Sequence, residues 1–305
     1  MNRLPILLIG YNRPDFIVQR LKEISTVLNH CSTTVYISID GPKTLQDVEN
    51  SRAIHKLIME LDLNHKIKLN QVNLGLSKNV TSAISWVLNL EEKVLIIEDD
   101  ISLSLSAYRI FAEIPDIYLS KYVSVSGFTC IPMSRSKIKN ISFYESKYFA
   151  AWGWIIHRDT WQFYKRELST EDIYQLDKSK LWKASSEKER EIWLKRFKQI
   201  IINPDFTWDT QMQYLNFLLD KKNLRSSIRL VENIGFNDSR STNTKEKKPF
   251  WYFPVKICPN VDNIAIKLSN SIMTAFYEFL DSFTVSGTRK FPKRFRLSPR
   301  KILIK

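Results

Sequence analysis

Val94-Leu95-Ile96-Ile97-Glu98-Asp99-Asp100-Ile101 is the stretch on which the fold of this chain turns. Val94 to Ile97 is an unbroken apolar run rich in β-branched residues, a pattern that reads as a strand buried on both faces. Carboxylates follow at once at Glu98, Asp99 and Asp100. In an open parallel α/β sheet, ligands bind beyond the carboxyl ends of the strands, so these acids stand where a substrate and a divalent cation are expected. Their hard oxygens suit Mg²⁺ or Mn²⁺ rather than zinc. Taken alone, the triplet equally reads as the acidic start of a following helix, capped by Ser102 and Ser104. The surrounding sequence has to decide.

Working upstream, Leu4 to Gly10 reads as a first strand, and Tyr11-Asn12-Arg13-Pro14 as its turn, with Pro14 opening a helix to about Asn29. Val35 to Ile39 predicts a second strand, closed by Asp40-Gly41-Pro42. Val48, Ile54, Leu57, Ile58 and Leu61 recur at helical spacing. A third strand, Lys66 to Val72, leads through Asn73-Leu74-Gly75-Leu76-Ser77-Lys78-Asn79 into a helix ending near Leu90. Strand and helix thus alternate up to the acid-tipped strand, which calls for a mostly parallel sheet with right-handed crossovers. Each strand end brings polar residues to one crevice: Asn12 and Arg13, Asp40, Asn73, and Glu98 to Asp100.

Downstream, the pattern predicts a helix near Leu105 to Leu119, a strand from Val123 to Gly127, and an aromatic stretch from Tyr144 to Trp161 around Trp152-Gly153-Trp154. Lys178 to Lys198 reads as an exposed, solvated helix rich in Glu and Lys. Phe206 to Leu219 opens a further helix through Trp208-Asp209, and Ile228 to Asn233 reads as a strand. The polar run Asp238 to Lys248 is expected to be mobile. An amphipathic helix is predicted over 262–283, from Ile264, Ile266, Leu268, Ile272, Ala275, Phe276, Phe279 and Leu280.

Composition narrows the chemistry. With only 7 Gly in 305 residues, neither GxGxxG nor GxxxxGK[ST] occurs, so phosphate must be held without a glycine-rich loop. Cys31, Cys130 and Cys258 are far apart and form no CxxC, which argues against a disulfide framework or zinc knuckle and for a reducing, cytoplasmic setting. His30, His55, His65 and His157 lack metal-ligand spacing. The apolar run after Met1 is too short for a signal peptide, and no stretch is long and apolar enough to span a bilayer. The formal charge of +14 is concentrated at the end: residues 285–305 hold eight Lys or Arg and no acid. Interleaved with Phe291, Phe295, Leu297, Ile302, Leu303 and Ile304, such a tail is attracted to an anionic membrane surface by about 1 kcal/mol per cation close to it. It carries no recognisable nucleic-acid motif, and no nucleic-acid partner is expected.

The ordered set Tyr11-Asn12-Arg13-Pro14, Asp40-Gly41-Pro42, Asn73 to Asn79, Glu98-Asp99-Asp100, Trp152-Gly153-Trp154, Trp208-Asp209 and Asn233-Ile234-Gly235-Phe236 resembles bacterial glycosyltransferases of the type A fold, in the branch related to N-acetylglucosaminyltransferase I. The resemblance covers about residues 4–240. It implies a catalytic domain over 1–245, with a nucleotide-sugar half near 1–127 and an acceptor half near 128–245, and a helical extension over 246–305. It implies that Asp100 binds Mn²⁺ or Mg²⁺, with Glu98 or Asp99 on the ribose or sugar of a nucleotide-diphosphate sugar. Asp40 is expected on the uracil, and Tyr11, Asn12 and Arg13 against the nucleotide. Lys78 is a cation for the diphosphate or for the helix start. Trp152, Gly153, Trp154 and Trp208 are expected to line the sugar and acceptor cleft. Asp209 is the implied base of an inverting reaction, partly desolvated beside Trp208. The acceptor class is a glycan or lipid-linked glycan of a bacterial surface polysaccharide, and the location is cytoplasmic, peripheral on the membrane. One departure stands out: similar sequences carry Thr-His after the Asn-Ile-Gly-Phe motif, whereas Ser239 to Thr244 contains no His and offers Arg240 as a phosphate partner. The rivals are a sugar-nucleotide nucleotidyltransferase, whose Gly-rich Arg-bearing loop is absent, and a non-catalytic basic nucleic-acid-binding protein.

Overall fold

The computed structural model describes residues 3–60, 64–129, 141–236, 238–240, 266–269 and, within 274–282, all but 276 and 279. β1 (Ile6–Gly10), β2 (Val35–Ile39), β3 (His65–Leu69) and β4 (Lys93–Glu98) alternate with α1 (Pro14–Leu28), α2 (Leu45–Met59) and α3 (Leu76–Leu88). The strands are parallel in the order β3-β2-β1-β4. After β3 the chain crosses back to the other side of β1. The winding therefore reverses between β1 and β4, the place where an open α/β sheet forms a crevice at its carboxyl ends.

The unbroken apolar runs are explained by cores on both faces. Ile6 and Leu8 of β1 and Leu95 and Ile97 of β4 pack with Ile17, Leu21 and Ile24 of α1 and Ile54 and Ile58 of α2. The alternate residues, Leu7, Ile9, Val94 and Ile96, pack with Val80, Ala83, Ile84 and Val87 of α3.

Beyond β4 the sheet becomes mixed. The later elements are β5 (Ile101–Leu103), α4 (Leu105–Ala112), α5 (Asp116–Lys121), β6 (Val125–Ser126), β7 (Ile141–Ser146), β8 (Trp154–His157), α6 (Arg158–Trp161), α7 (Thr170–Gln175), α8 (Lys180–Ala184), α9 (Glu187–Ile202), α10 (Asp209–Leu218), β9 (Asn223–Ser226), β10 (Val231–Asn233) and β11 (Ile266–Leu268). β8 runs antiparallel to β4 and to β6, extending the sheet in the order β11-β7-β9-β6-β8-β4-β1-β2-β3. β5 and β10 form a separate antiparallel pair. The sheet is thus mostly parallel on the β1–β4 side, flanked by helices as expected. Among the described residues, no helix is long and apolar enough to cross a membrane.

Several local expectations are corrected. The segment after the acids is β5 rather than a helix, and α4 starts only at Leu105, capped by Ser104. The helix expected to reach Leu119 breaks into α4 and α5, with Pro115 at the boundary. The Lys178 to Lys198 stretch is solvated on its Glu and Lys face only: on the other face α9 buries Trp193, Phe197 and Ile200, spaced four and three residues apart, against Trp182 of α8. β9 lacks an apolar pattern because its polar side chains are buried in pairs, with Ser124 Oγ donating to Asn223 Oδ1 at 2.7 Å and Arg225 on Asp281 at 2.8 Å. Ile266 and Leu268, assigned to a helix, belong to β11; with Ile264 they alternate at period two, and helix is found only at the described residues of 274–282. The tail 285–305, residues 241–248 of the polar run, Cys130 and Cys258 lie outside the described residues.

Candidate functional site

The acids lie at the winding reversal, in the turn between β4 and β5. Asp99 N donates to Ile9 O at 2.9 Å, which extends the β1–β4 pairing by one residue and brings the turn beside Arg13, just after β1. Arg13 grips Asp99 in a fork, Nε donating to Oδ2 at 3.1 Å and Nη2 to Oδ1, while Nη2 also stands 3.4 Å from Asp100 Oδ2. The guanidinium lies over Phe16, 4.9 Å from the ring centre. Burial works against the Arg13 charge, and the Asp99 and Asp100 carboxylates outweigh it. Burial in turn pushes all three acids up from their ordinary values; the neighbouring carboxylates add to this at Glu98, and Arg13 opposes it throughout. Among the described residues no hydrogen-bond donor reaches Glu98, whose place in β4 puts it on the Val94 and Ile96 face.

The other wall is the Asn233-Ile234-Gly235-Phe236 turn. β10 pairs with β5, and Ile234 N donates to Asp100 O at 2.9 Å. Gly235 is required by contact: a Cβ there would stand 2.5 Å from Asp100 Oδ2. The glycine leaves a cradle against that carboxylate oxygen.

Tyr11 and Asn12 are tethered rather than open. Tyr11 OH and Asn12 Nδ2 both donate to the Asp47 carboxylate at 2.7 Å. Asp47 also closes the capping box of α2 with Thr44. Asp40, expected directly on the base, is buried and its oxygens are filled: it accepts from the amides of Gly41, Leu74 and Gly75 and from the side chains of Asn70 and Asn73. Its role is to shape the Asn73 to Gly75 turn that borders the crevice.

The acceptor side divides in the same way. Trp154 is fully buried, and its ring stacks on Trp208, itself 3% exposed, at 5.6 Å. Both belong to the core under α10, which corrects their assignment to the cleft. Gly153, at φ 59, turns the chain between them and Trp152. Trp152 is half-buried on the opposite face, in edge-to-face contact with Phe128 and Phe236. Asp209 is exposed rather than desolvated by Trp208, and opens α10 with Thr207 Oγ1 donating to its carboxylate. Lys78, in the first turn of α3, pairs with Asp205 at 3.1 Å, which Arg166 also holds at 2.6 Å. Arg240 is occupied as well, forked on Asp15 at 2.7 and 2.8 Å and bonded to Asp238.

Sequence reading missed Asp47, Asp205, Glu23 and Arg20. The first was legible, because Thr44-x-x-Asp47 is a capping-box spacing; the others have no local signature.

Among the described residues, no group of three or more His, Cys, Asp or Glu side chains converges as a ready cage for a metal ion. The donor set fits the sparser coordination in which Mg²⁺ or Mn²⁺ takes one or two carboxylates and draws its other oxygens from phosphate and water. Asp100, facing the Gly235 cradle, is the carboxylate that would hold it.

No protein-family model matches this chain, and no curated protein matches it. Among solved structures it is similar to TarS of S. aureus, at 18% identity over 71% of this chain and 70% of that one, with a TM-score of 0.37. It is similar to the glycosyltransferase GlyE of Streptococcus pneumoniae TIGR4 at 12% identity over 74% of this chain and 45% of that one, TM-score 0.38. To the galactosyltransferase LgtC in complex with donor and acceptor sugar analogues it is 13% identical over 96% of this chain and 99% of that one, TM-score 0.39.

Proposed function

We propose that this chain is a type A glycosyltransferase, of the branch related to N-acetylglucosaminyltransferase I. It moves a sugar from a nucleotide-diphosphate sugar, a UDP-sugar in the first instance, to a glycan or lipid-linked glycan, with inversion, in bacterial surface polysaccharide synthesis. The observation that carries this reading is the Arg13 fork on Asp99 at the β1/β4 winding reversal, with Asp100 beside it against Gly235. An excess of carboxylate over cation at a ligand crevice suits a site completed by a divalent ion and an anionic ligand. A bound Mn²⁺ or Mg²⁺ neutralises charge on a departing diphosphate. Arg13 holds the acid turn in register for the donor, Glu98 and Asp99 border its ribose or sugar, and Trp152 walls the sugar cleft. Asp209 takes the proton of the acceptor hydroxyl. The basic tail holds the enzyme on an anionic membrane surface, on the cytoplasmic side, where a lipid-linked acceptor lies.

The test is binding of UDP-, GDP- and dTDP-sugars with Mn²⁺ by calorimetry. One class binds, binding is lost in chelator, and Asp100→Asn loses it while keeping the wild-type circular dichroism. Full turnover of Asp100→Asn in excess chelator refutes the metal role, and retention on nucleic acid with no donor binding favours the binding-protein rival.

A further inference from the structure

Arg20 lies on the inner face of α1 with 0% exposure. Its Nη2 donates to Glu23 Oε1 at 2.8 Å, but Nε and Nη1 are buried with no hydrogen-bond partner. A buried guanidinium usually has its donors satisfied, because each unpaired one loses its water without replacement. Glu23 continues the link: it accepts from Ser102 Oγ at 3.0 Å and from Leu103 N at 2.9 Å, both in β5 just beyond the acid turn. α1 therefore holds both flanks of the acid turn, through Arg13 on Asp99 before its first residue and through Glu23 on β5 more than two turns in. The chain of contacts from Arg20 through Glu23 ends on Ser102, two residues from Asp100, and a charge buried as Arg20 is lies where screening is weak.

We propose that the buried Arg20 and its part-buried partner Glu23 form a charge pair that sets the affinity of the Glu98-Asp99-Asp100 turn for a divalent cation, as positioning residues and not as ligands. The proposal rests on reading that turn as the cation and diphosphate site. Its content is a sign. Removing the Arg20 charge deepens the negative potential at Asp99 and Asp100 and favours a cation. Neutralising Glu23 leaves Arg20 unopposed and works against one. A purely structural role weakens binding in both cases.

The experiment is Mn²⁺ titration of the full chain by electron paramagnetic resonance in the presence of UDP, with circular dichroism melts as the folding control. Arg20→Met is expected to bind Mn²⁺ more tightly and Glu23→Gln more weakly, each on the order of tenfold, as for a unit charge under protein-like screening. Arg20→Lys keeps the charge and holds wild-type affinity. If Arg20→Met does not fold, Glu23→Gln and Arg20→Lys carry the comparison. Shifts of the same sign in Arg20→Met and Glu23→Gln overturn the proposal, as do unchanged affinities in both or a Glu23→Gln that binds as tightly as wild type. Wild-type protein that binds no Mn²⁺ with UDP overturns the cation reading itself, and this proposal with it.

Discussion

Asp209 opens α10 with its carboxylate in solvent, where an acceptor hydroxyl can reach it. Substituting Asp209→Asn is expected to depress turnover by about 10²- to 10⁴-fold, the usual worth of a general base. Donor affinity should change little, because the lost interaction belongs to the transition state. Stopped-assay rates with donor binding measured in parallel check this, and product NMR should show the inverted anomer. Glu98 is the competitor, since burial and its acidic neighbours raise its pKa and no described donor reaches it. If Glu98→Gln shows the large loss and Asp209→Asn stays within about tenfold, Glu98 is the base. Asp40 shows the opposite fate for an acid at a strand end: its oxygens are filled by turn amides, so it organises the crevice without facing it.

At the scale of elements, the first turn of α2 holds the turn after β1. Asp47 caps its own helix and accepts from both Tyr11 and Asn12, so one carboxylate ties β1, its turn and α2 together. Burial pushes the Asp47 pKa up, but hydrogen bonds from Asn12, Tyr11 and Thr44 outweigh it and hold the group below the usual 3.8. A depressed folded pKa gives stability that is full above the unfolded value and fades as pH falls through the folded one. Asp47→Ala is therefore expected to cost about 1–2 kcal/mol at neutral pH, the upper part of the range for a lost cap. Thermal melts of variant and wild type should converge as pH falls below 3.8. A gap that persists unchanged in acid would show that the loss is one of packing.

At the scale of the molecule, a single reversal of winding brings the ends of β1 and β4 together, and the separate β5–β10 pair supplies the opposite wall through the turn after β10. The eight cations of 285–305 are over half of the net +14, and deleting them tests the membrane reading. Truncation before Ser286 is expected to release the protein from anionic vesicles at low salt in a flotation assay, with transfer to a soluble acceptor analogue unchanged. Equal partitioning of the two proteins assigns the basic excess to another partner. The four parallel strands, their helices and the polar residues at their ends were legible in the chain, because apolar runs and helical spacing are local and set the elements before they pack. Which of those polar residues face a ligand was not legible. Glu23 and Leu103 are 80 residues apart, Tyr144 and Asp281 137, and only the topology brought them together. A polar side chain bonds to whatever the fold places beside it, so tertiary structure alone decided that Trp154 is core, Asp40 is saturated, Asp209 is open and Arg20 is buried against Glu23.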